Sequence, residues 1–222
     1  AILSGDVMLI QAYRHLAAAG DSEKVAKLIN TFNRVATDVC EGQQYDIDFE
    51  TRDDVTLPEY LRMIELKSAV LLGGALEMGA ICAGARLEAG ARLYNFGRLA
   101  GIAFQIQDDL LDSYGDPEKF GKQVGGDILQ NKKTFLVLKA LEVMPESSRQ
   151  ELKHWMQTAA DTPGKVDAVR ALFDRYKIPG LVAAEKRRFQ QTAFEQLDQV
   201  QVPEPRKSVL LQLVENLLER EH

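Results

Sequence analysis

Three aspartates fall within five residues of the stretch FQIQDDLLDSYGD, residues 104–116. They are Asp108, Asp109 and Asp112. On a helix, Asp108 and Asp112 share a face, and Asp109 lies about 100° round the axis from them. Three carboxylates so close repel one another unless cations neutralise them. The spacing alone leaves two readings open. One is a solvated acidic helix end, and the other is a Mg²⁺ site completed by substrate phosphates.

A glycine-rich segment with lysines follows the aspartates. Residues 114–131 hold four glycines and one proline, which predicts a loop. An EF-hand calcium loop is excluded, because counting from Asp112 the required glycine position holds Pro117. This segment and the residues just after it also contain another acid, Asp127, and four lysines. The lysines are Lys119, Lys122, Lys132 and Lys133. This alternation of acids and lysines suits a phosphate held between metal ions and ammonium groups.

Helical periodicity dominates the chain and predicts an all-α fold to position these groups. Thr56 and Glu59 form a capping box with Pro58 in the first turn, so we expect a helix from about residue 57 to about residue 85. Most glycines of that helix are expected to serve close helix packing. A second helix covers roughly 88–113 and carries the three aspartates. Further helices are predicted before Gly20, after a cap at Asp21 or Ser22, and near 132–143, 146–160, 163–176, 180–199 and 205–220.

Composition narrows the class of protein. The 222 residues are 45% hydrophobic, which suits one globular domain. Lys plus Arg number 27 against 33 for Asp plus Glu, and the resulting formal charge of -6 argues against nucleic-acid binding. Cys40 and Cys82 are isolated and have no metal-type spacing, so we expect buried thiols in a reducing compartment. No apolar run approaches the ~20 residues that span a bilayer, and we expect a cytoplasmic protein without a transmembrane segment.

Several segments together resemble one enzyme family. FQIQDDLLD followed by FGKQVGGDILQNKKT is similar to the second aspartate-rich region of the trans-type polyprenyl diphosphate synthases, the farnesyl and geranylgeranyl diphosphate synthase family. Three more segments of the chain resemble segments of that family, in the same order and spacing. They are AILSGDVML, GQQYDIDFE and YLRMIELKSAVLLGGALEMGA. Ser68 stands where the family usually has threonine. The resemblance implies an all-α, isoprenoid synthase-type helical bundle around a central cavity, in a single domain over 1–222.

The resemblance also implies Mg²⁺-dependent prenyl transfer. In this family an allylic diphosphate ionises, isopentenyl diphosphate attacks the allylic cation and a proton is lost, which gives a linear polyprenyl diphosphate. Carried over, Asp108 and Asp112 would hold Mg²⁺, with Asp109 close by and Asp127 in support. Asp108, Asp109, Lys67 and Gln105 would be catalytic. The resemblance places Lys67, Ser68, Gln105, Lys122 and Lys132 at the allylic diphosphate, and Gln43 and Asp46 in the cavity wall.

One departure from the family concerns the first aspartate-rich motif. That motif normally precedes the segment resembling AILSGDVML, which begins here at residue 1. The resemblance therefore implies that this motif, the arginines that bind isopentenyl diphosphate and the N-terminal helices lie upstream.

Two alternatives stay open. One is a terpene cyclase of the same fold, and the other is a non-catalytic regulatory subunit of a heteromeric prenyl synthase. The family also implies a homodimer, for which the 88–113 helix could supply a face of Leu93, Phe96, Leu99 and Ala100.

Overall fold

A computed structural model describes residues 2–116 and 124–218 of the chain. Over these ranges the fold is all-α and contains no β-strand, which confirms the predicted class. None of the described helices combines the length and apolar character needed to cross a membrane. The helices are α1 (Ile2–Ala17), α2 (Ser22–Thr51), α3 (Leu57–Ile64), α4 (Val70–Cys82), α5 (Leu87–Tyr114), α6 (Gly126–Leu129), α7 (Phe135–Val143), α8 (Glu146–Trp155), α9 (Lys165–Arg175), α10 (Ile178–Asp198) and α11 (Glu204–Leu218).

Helix α5 is the central helix of the bundle. It packs most extensively against α4 and α10. Phe96, Leu99 and Ala100 are buried in the main hydrophobic core, and Leu93 packs against that core. The prediction that these four residues form a dimer face is therefore wrong. An apolar stripe on a helix shows that the face is covered, and here the chain's own helices cover it.

The two cysteines are exposed. Cys40 lies in α2 and Cys82 is the last residue of α4, and the described part of the chain buries neither of them. The expectation of buried thiols is therefore wrong.

The start of α3 agrees with the predicted capping box. The Thr56 hydroxyl accepts a hydrogen bond from the Glu59 N–H, and the Glu59 carboxylate accepts one from the Thr56 N–H at 2.8 Å. The predicted helix of 57–85 is nevertheless not uniform. Residues Glu65–Ala69 form a π-helical turn between α3 and α4, closed by a bond from the Val70 N–H to the Glu65 carbonyl. Such turns hold one residue more than an α-helical turn and are frequent at functional sites.

Two glycines of α4 allow close approach of its neighbours, as predicted, whereas a Cβ at Gly79 or Gly84 would meet nothing within 4 Å. A Cβ at Gly73 would lie 2.7 Å from the Tyr94 carbonyl oxygen in α5. A Cβ at Gly74 would lie 2.5 Å from a methyl carbon of Val35 in α2. Both distances are shorter than a Cβ contact allows, so a larger residue would force a shift, and these two positions bring α2 and α5 against α4.

The segment predicted as a loop, 114–131, contains a short helix. Helix α5 ends at Tyr114, residues 117–123 lie outside the described ranges, and α6 then spans Gly126–Leu129. The backbone turns into α6 at Gly125, whose φ of 80° favours glycine. The Gly125 N–H donates to the Asp112 carbonyl at 2.6 Å, so α6 lies against the end of α5.

A buried lysine fastens the segment after α6 to the rest of the bundle. Lys165, at the start of α9, is only 1% exposed. Its ammonium donates to the Asn131 side-chain oxygen at 2.6 Å, to the Thr158 carbonyl at 2.9 Å and to the Leu129 carbonyl at 3.4 Å. Asn131 itself has a positive φ of 57°. The lysine therefore joins the start of α9 to two other segments, residues 129–131 and the residues after α8.

Replacing Lys165 by methionine should destabilise the fold. Methionine fills a similar volume but removes the ammonium donor from all three oxygens, and the Thr158 carbonyl keeps the Asn131 side-chain amide as a donor at 3.4 Å. Each buried acceptor left unpaired costs about 1–3 kcal/mol. We expect the free energy of unfolding from urea titration to fall by at least about 2 kcal/mol. Lys153→Met, at an exposed position of α8, is the matched control. Equal stability of the two variants would contradict this role.

Candidate active site

A cavity of about 680 Å³ lies between α2, α3, α5 and the segment that follows α6. Its volume is within the range usual for sites that bind small molecules. Most of the residues predicted from the sequence line it. The acids are Asp46, Asp108, Asp109, Asp112 and Asp127, and they meet Lys67, Lys132 and Gln105 there.

Of the predicted residues that the structure describes, two do not line this cavity. Ser68 lines a neighbouring pocket instead. Gln43 is exposed on α2, whereas Asp46, nearly one turn further along the same helix, does line the cavity. Lys122 lies outside the described residues.

Asp109 is the most deeply buried acid of the cavity. One of its carboxylate oxygens accepts a hydrogen bond from the Tyr60 hydroxyl at 2.6 Å and another from the Phe135 N–H at 2.8 Å. Burial raises the pKa of the Asp109 carboxyl to about 7, although these two hydrogen bonds oppose the shift. Phe135 is the first residue of α7, so the carboxylate joins α3, α5 and the start of α7.

Tyr60 is a cavity residue that the sequence reasoning did not identify. It is buried and lies seven residues before Lys67, which is almost two helical turns. Residues two turns apart share a face of a helix. Once the capping box had placed the helix start at Thr56, this spacing could have assigned Tyr60 to the cavity side together with Lys67.

Lys67 projects into the cavity from the π-helical turn. Its ammonium lies 2.5 Å from a carboxylate oxygen of Asp46 in α2. Both side chains are about one third exposed, with relative accessibilities of 36% and 37%. The pair is therefore accessible to a ligand, and an anionic ligand could compete with Asp46 for the ammonium group.

A second lysine and acid pair lines the same cavity. The Lys132 ammonium bonds a carboxylate oxygen of Asp127 at 2.7 Å, and this hydrogen bond raises the pKa of Lys132. The Asp127 N–H in turn donates to the Asp112 carboxylate at 3.0 Å. The next lysine, Lys133, donates to the Phe49 carbonyl at 2.8 Å and so ties this segment to the end of α2.

The donor set suits a hard divalent cation that also has phosphate ligands. Within residues 2–116 and 124–218, no three or more His, Cys, Asp or Glu side chains form a group that could hold a metal by themselves. Asp108, Asp112 and Asp127 nevertheless offer carboxylate oxygens to one cavity. Mg²⁺ commonly takes one or two carboxylates and completes its shell with water and substrate phosphates. The arrangement therefore fits Mg²⁺ bound together with a phosphorylated ligand.

A smaller apolar pocket of about 240 Å³ adjoins the polar cavity. Gln105 lines both spaces. The pocket also contains Leu72 and Phe104, together with Val214 and Leu218 from α11. The polar cavity thus has a hydrocarbon-lined space next to it.

Comparison with known proteins identifies the relatives of this chain. The family model described as polyprenyl synthetase matches residues 1–173. The chain is 37% identical to the short chain isoprenyl diphosphate synthase of Methanothermobacter thermautotrophicus, in a match that covers all of this chain and 67% of that protein. It is also 33% identical to 67% of the geranylgeranyl diphosphate synthase of Methanosarcina mazei.

Solved structures of similar sequence have the same fold. One is a geranylgeranyl pyrophosphate synthase that is 41% identical, with a TM-score of 0.92 over 100% of this chain and 68% of that one. Another is the geranylgeranyl pyrophosphate synthetase of Pyrococcus horikoshii, which is 32% identical, with a TM-score of 0.90 over 99% of this chain and 66% of that one. The chain therefore spans about two thirds of the length of these relatives.

Removing the Tyr60 hydroxyl should weaken the junction at Asp109. Tyr60→Phe keeps the ring but takes away one of the two donors to a buried carboxylate, which costs about 1–3 kcal/mol. We expect the free energy of unfolding at pH 8 to fall by that amount. Tyr45→Phe, at an exposed position of α2, should change it by less than about 0.5 kcal/mol. Equal effects of the two substitutions would show that the Asp109 contact contributes little.

Proposed function

Because this chain belongs to the polyprenyl synthetase family, we propose that the protein is a prenyltransferase that joins an allylic diphosphate to isopentenyl diphosphate. Its products would be a linear polyprenyl diphosphate and free diphosphate. The observation that carries the proposal is the single cavity in which acids of α5 meet Lys67 and Lys132. The resemblance stated from the sequence is confirmed at the level of the family. The curated relatives named above are isoprenyl and geranylgeranyl diphosphate synthases, and neither alternative gains support from them.

The acids of the cavity would hold Mg²⁺ with the substrate diphosphate. We assign this role to Asp108 and Asp112, with Asp127 in support. Bound Mg²⁺ would neutralise the negative charge that develops on the leaving diphosphate. Asp109 has its carboxylate engaged by Tyr60 and Phe135, which supports a role in positioning α5 beside the metal ligands.

The ammonium groups would bind the same diphosphate. Lys67 and Lys132 line the cavity, and each has a carboxylate partner there. On binding, the phosphate oxygens would replace part of these contacts and accept charge-assisted hydrogen bonds. The positive charge of the two ammonium groups would favour departure of the diphosphate without any proton transfer. Lys122 stays a predicted third contact.

The allylic cation must be shielded from water until isopentenyl diphosphate attacks it. Phe49, Met63 and Ile64 supply apolar walls to the cavity, and the adjoining pocket offers space for hydrocarbon. The electron pair of the broken C–O bond leaves with the diphosphate. The double bond of isopentenyl diphosphate then forms the new C–C bond, and a proton is lost. Gln105, between the two spaces, would present its amide dipole to the reacting carbon.

A homodimer is the proposed assembly. Its support is membership of the polyprenyl synthetase family, for which the resemblance implies a homodimer. The cytoplasmic location, the single domain over 1–222 and the N-terminal helices upstream stay predictions.

Binding of Mg²⁺ should depend on a diphosphate ligand. In calorimetric titrations, we expect Mg²⁺ alone to bind weakly and to bind tightly once a non-reactive allylic diphosphate analogue is present. Asp108→Ala should abolish this dependence of Mg²⁺ binding on the analogue. In the protein as the cell makes it, the substitution should also lower kcat by orders of magnitude, because it removes charge stabilisation of the transition state. Asp161→Ala, at an exposed position between α8 and α9, is the control. Near-normal turnover of Asp108→Ala at saturating Mg²⁺ would refute the assignment.

Each lysine of the cavity should contribute separately to diphosphate affinity. A charge-assisted hydrogen bond is worth about 1.5–3 kcal/mol, so Lys67→Ala and Lys132→Ala should each raise the Kd of the analogue about tenfold or more. Lys153→Ala should leave the Kd unchanged. An unaltered Kd in either cavity variant would remove that lysine from the site.

A further inference from the structure

The π-helical turn that carries Lys67 is enclosed by two neighbouring helices at positions where neither has a side chain. On one side lies Gly42 of α2, where a Cβ would be 2.2 Å from the Lys67 nitrogen and 2.7 Å from the Leu66 carbonyl carbon. On the other side lies Gly101 of α5, where a Cβ would be 2.7 Å from the Ala69 Cα. These are contacts with backbone atoms, so no change of side-chain rotamer could relieve them.

The two approaches differ from ordinary helix packing in what they touch. At Gly74, an added Cβ would meet the side chain of Val35. At Gly42 it would meet the backbone of the residue proposed to bind the diphosphate. Leu66 and Ala69, which flank Lys67 in the turn, are 1% and 0% exposed. The turn is therefore packed closely on its protein side, and the Lys67 side chain is directed to the cavity.

Glycine at position 42 is not explained by the conformation of α2. Gly42 lies well inside a helix of 30 residues, where glycine is less favourable than alanine by about 1 kcal/mol. Its φ is not in the left-handed region that favours glycine. The close approach to the π-helical turn is the feature of the structure that excludes a larger residue there.

We propose that Gly42 and Gly101 are positioning residues for Lys67. They clamp the π-helical turn between α2 and α5, and so set where the ammonium group meets the substrate diphosphate. A Cβ at either position would displace the turn and move the Lys67 ammonium away from the diphosphate. This inference rests on the proposed function, since it takes Lys67 as a diphosphate ligand.

The test is a double-mutant cycle on the affinity for a non-reactive allylic diphosphate analogue with Mg²⁺, in the protein as the cell makes it. Gly42→Ala should raise the Kd about tenfold when Lys67 is present, which is about the effect of losing its charge-assisted contact. In the Lys67→Ala background the same substitution should change the Kd by less than about twofold, because residues that act through one contact are not additive.

Two control variants separate positioning from general damage. Gly74→Ala inserts a Cβ between α2 and α4 against the Val35 side chain, so it should lower the melting temperature while leaving the Kd within about twofold. Gly79→Ala adds a Cβ that meets nothing within 4 Å and should change neither quantity. If Gly74→Ala weakened binding as much as Gly42→Ala, general loosening would explain both results and the proposal would fail.

The remaining outcomes distinguish this inference from the proposed function. A normal Kd for Lys67→Ala would refute the proposed role of Lys67 itself. Suppose instead that Lys67→Ala binds weakly. If Gly42→Ala then binds normally, or if it weakens binding equally with and without Lys67, the clamp is refuted and the role of Lys67 stands. Should Gly42→Ala fail to fold, Gly101→Ala repeats the cycle from α5. Hydrogen exchange of the unsubstituted protein needs no variant. The Val70 N–H, which closes the π-helical turn, should exchange as slowly as the amides further along α4, and fast exchange would refute the clamp.

Discussion

The concentration of negative charge in one cavity is the constraint on which the arrangement of the bundle depends. Five of the described aspartates line this cavity, and carboxylates so close repel one another unless each has a donor or a cation. Tyr60 and the start of α7 donate to Asp109, while lysines from two other segments neutralise Asp46 and Asp127. The donors that bond to the buried Asp109 or to backbone oxygens hold the helices together. Lysines on partly exposed acids remain exchangeable, which is the property that a diphosphate ligand requires.

Periodicity and end signals were sufficient to predict the helices that carry the acids. The helix expected at 88–113 is Leu87–Tyr114 in the structure, and the capping box at Thr56 is formed. These features follow from neighbouring residues, so the local sequence contains the information. The spacing of Asp108 and Asp112 likewise decided that both would line the same cavity, because both lie on one helix.

Features that depend on distant residues could not be predicted in this way. The apolar pattern through 57–82 continues across the π-helical turn, so the extra residue leaves no mark on it. The stripe with Phe96 and Leu99 gave no information on which surface would cover it, and the interpretation as a dimer face was wrong. Gln43 and Asp46 come from one motif, yet only Asp46 lines the cavity, because which face of α2 meets the cavity is decided by packing against other helices.

The π-helical turn has a further consequence for the angular relation between α3 and α4. Tyr60 must face Asp109, whereas Gly73 and Gly74 must face α5 and α2. One residue advances an α-helix by about 100°, so the extra residue of the turn offsets the two helices in phase by that angle. Without the offset, one contact surface would rotate out of register with its neighbours. The turn therefore acts as a phase correction, and the length of the chain between Tyr60 and Gly73 is as constrained as the identity of any residue within it.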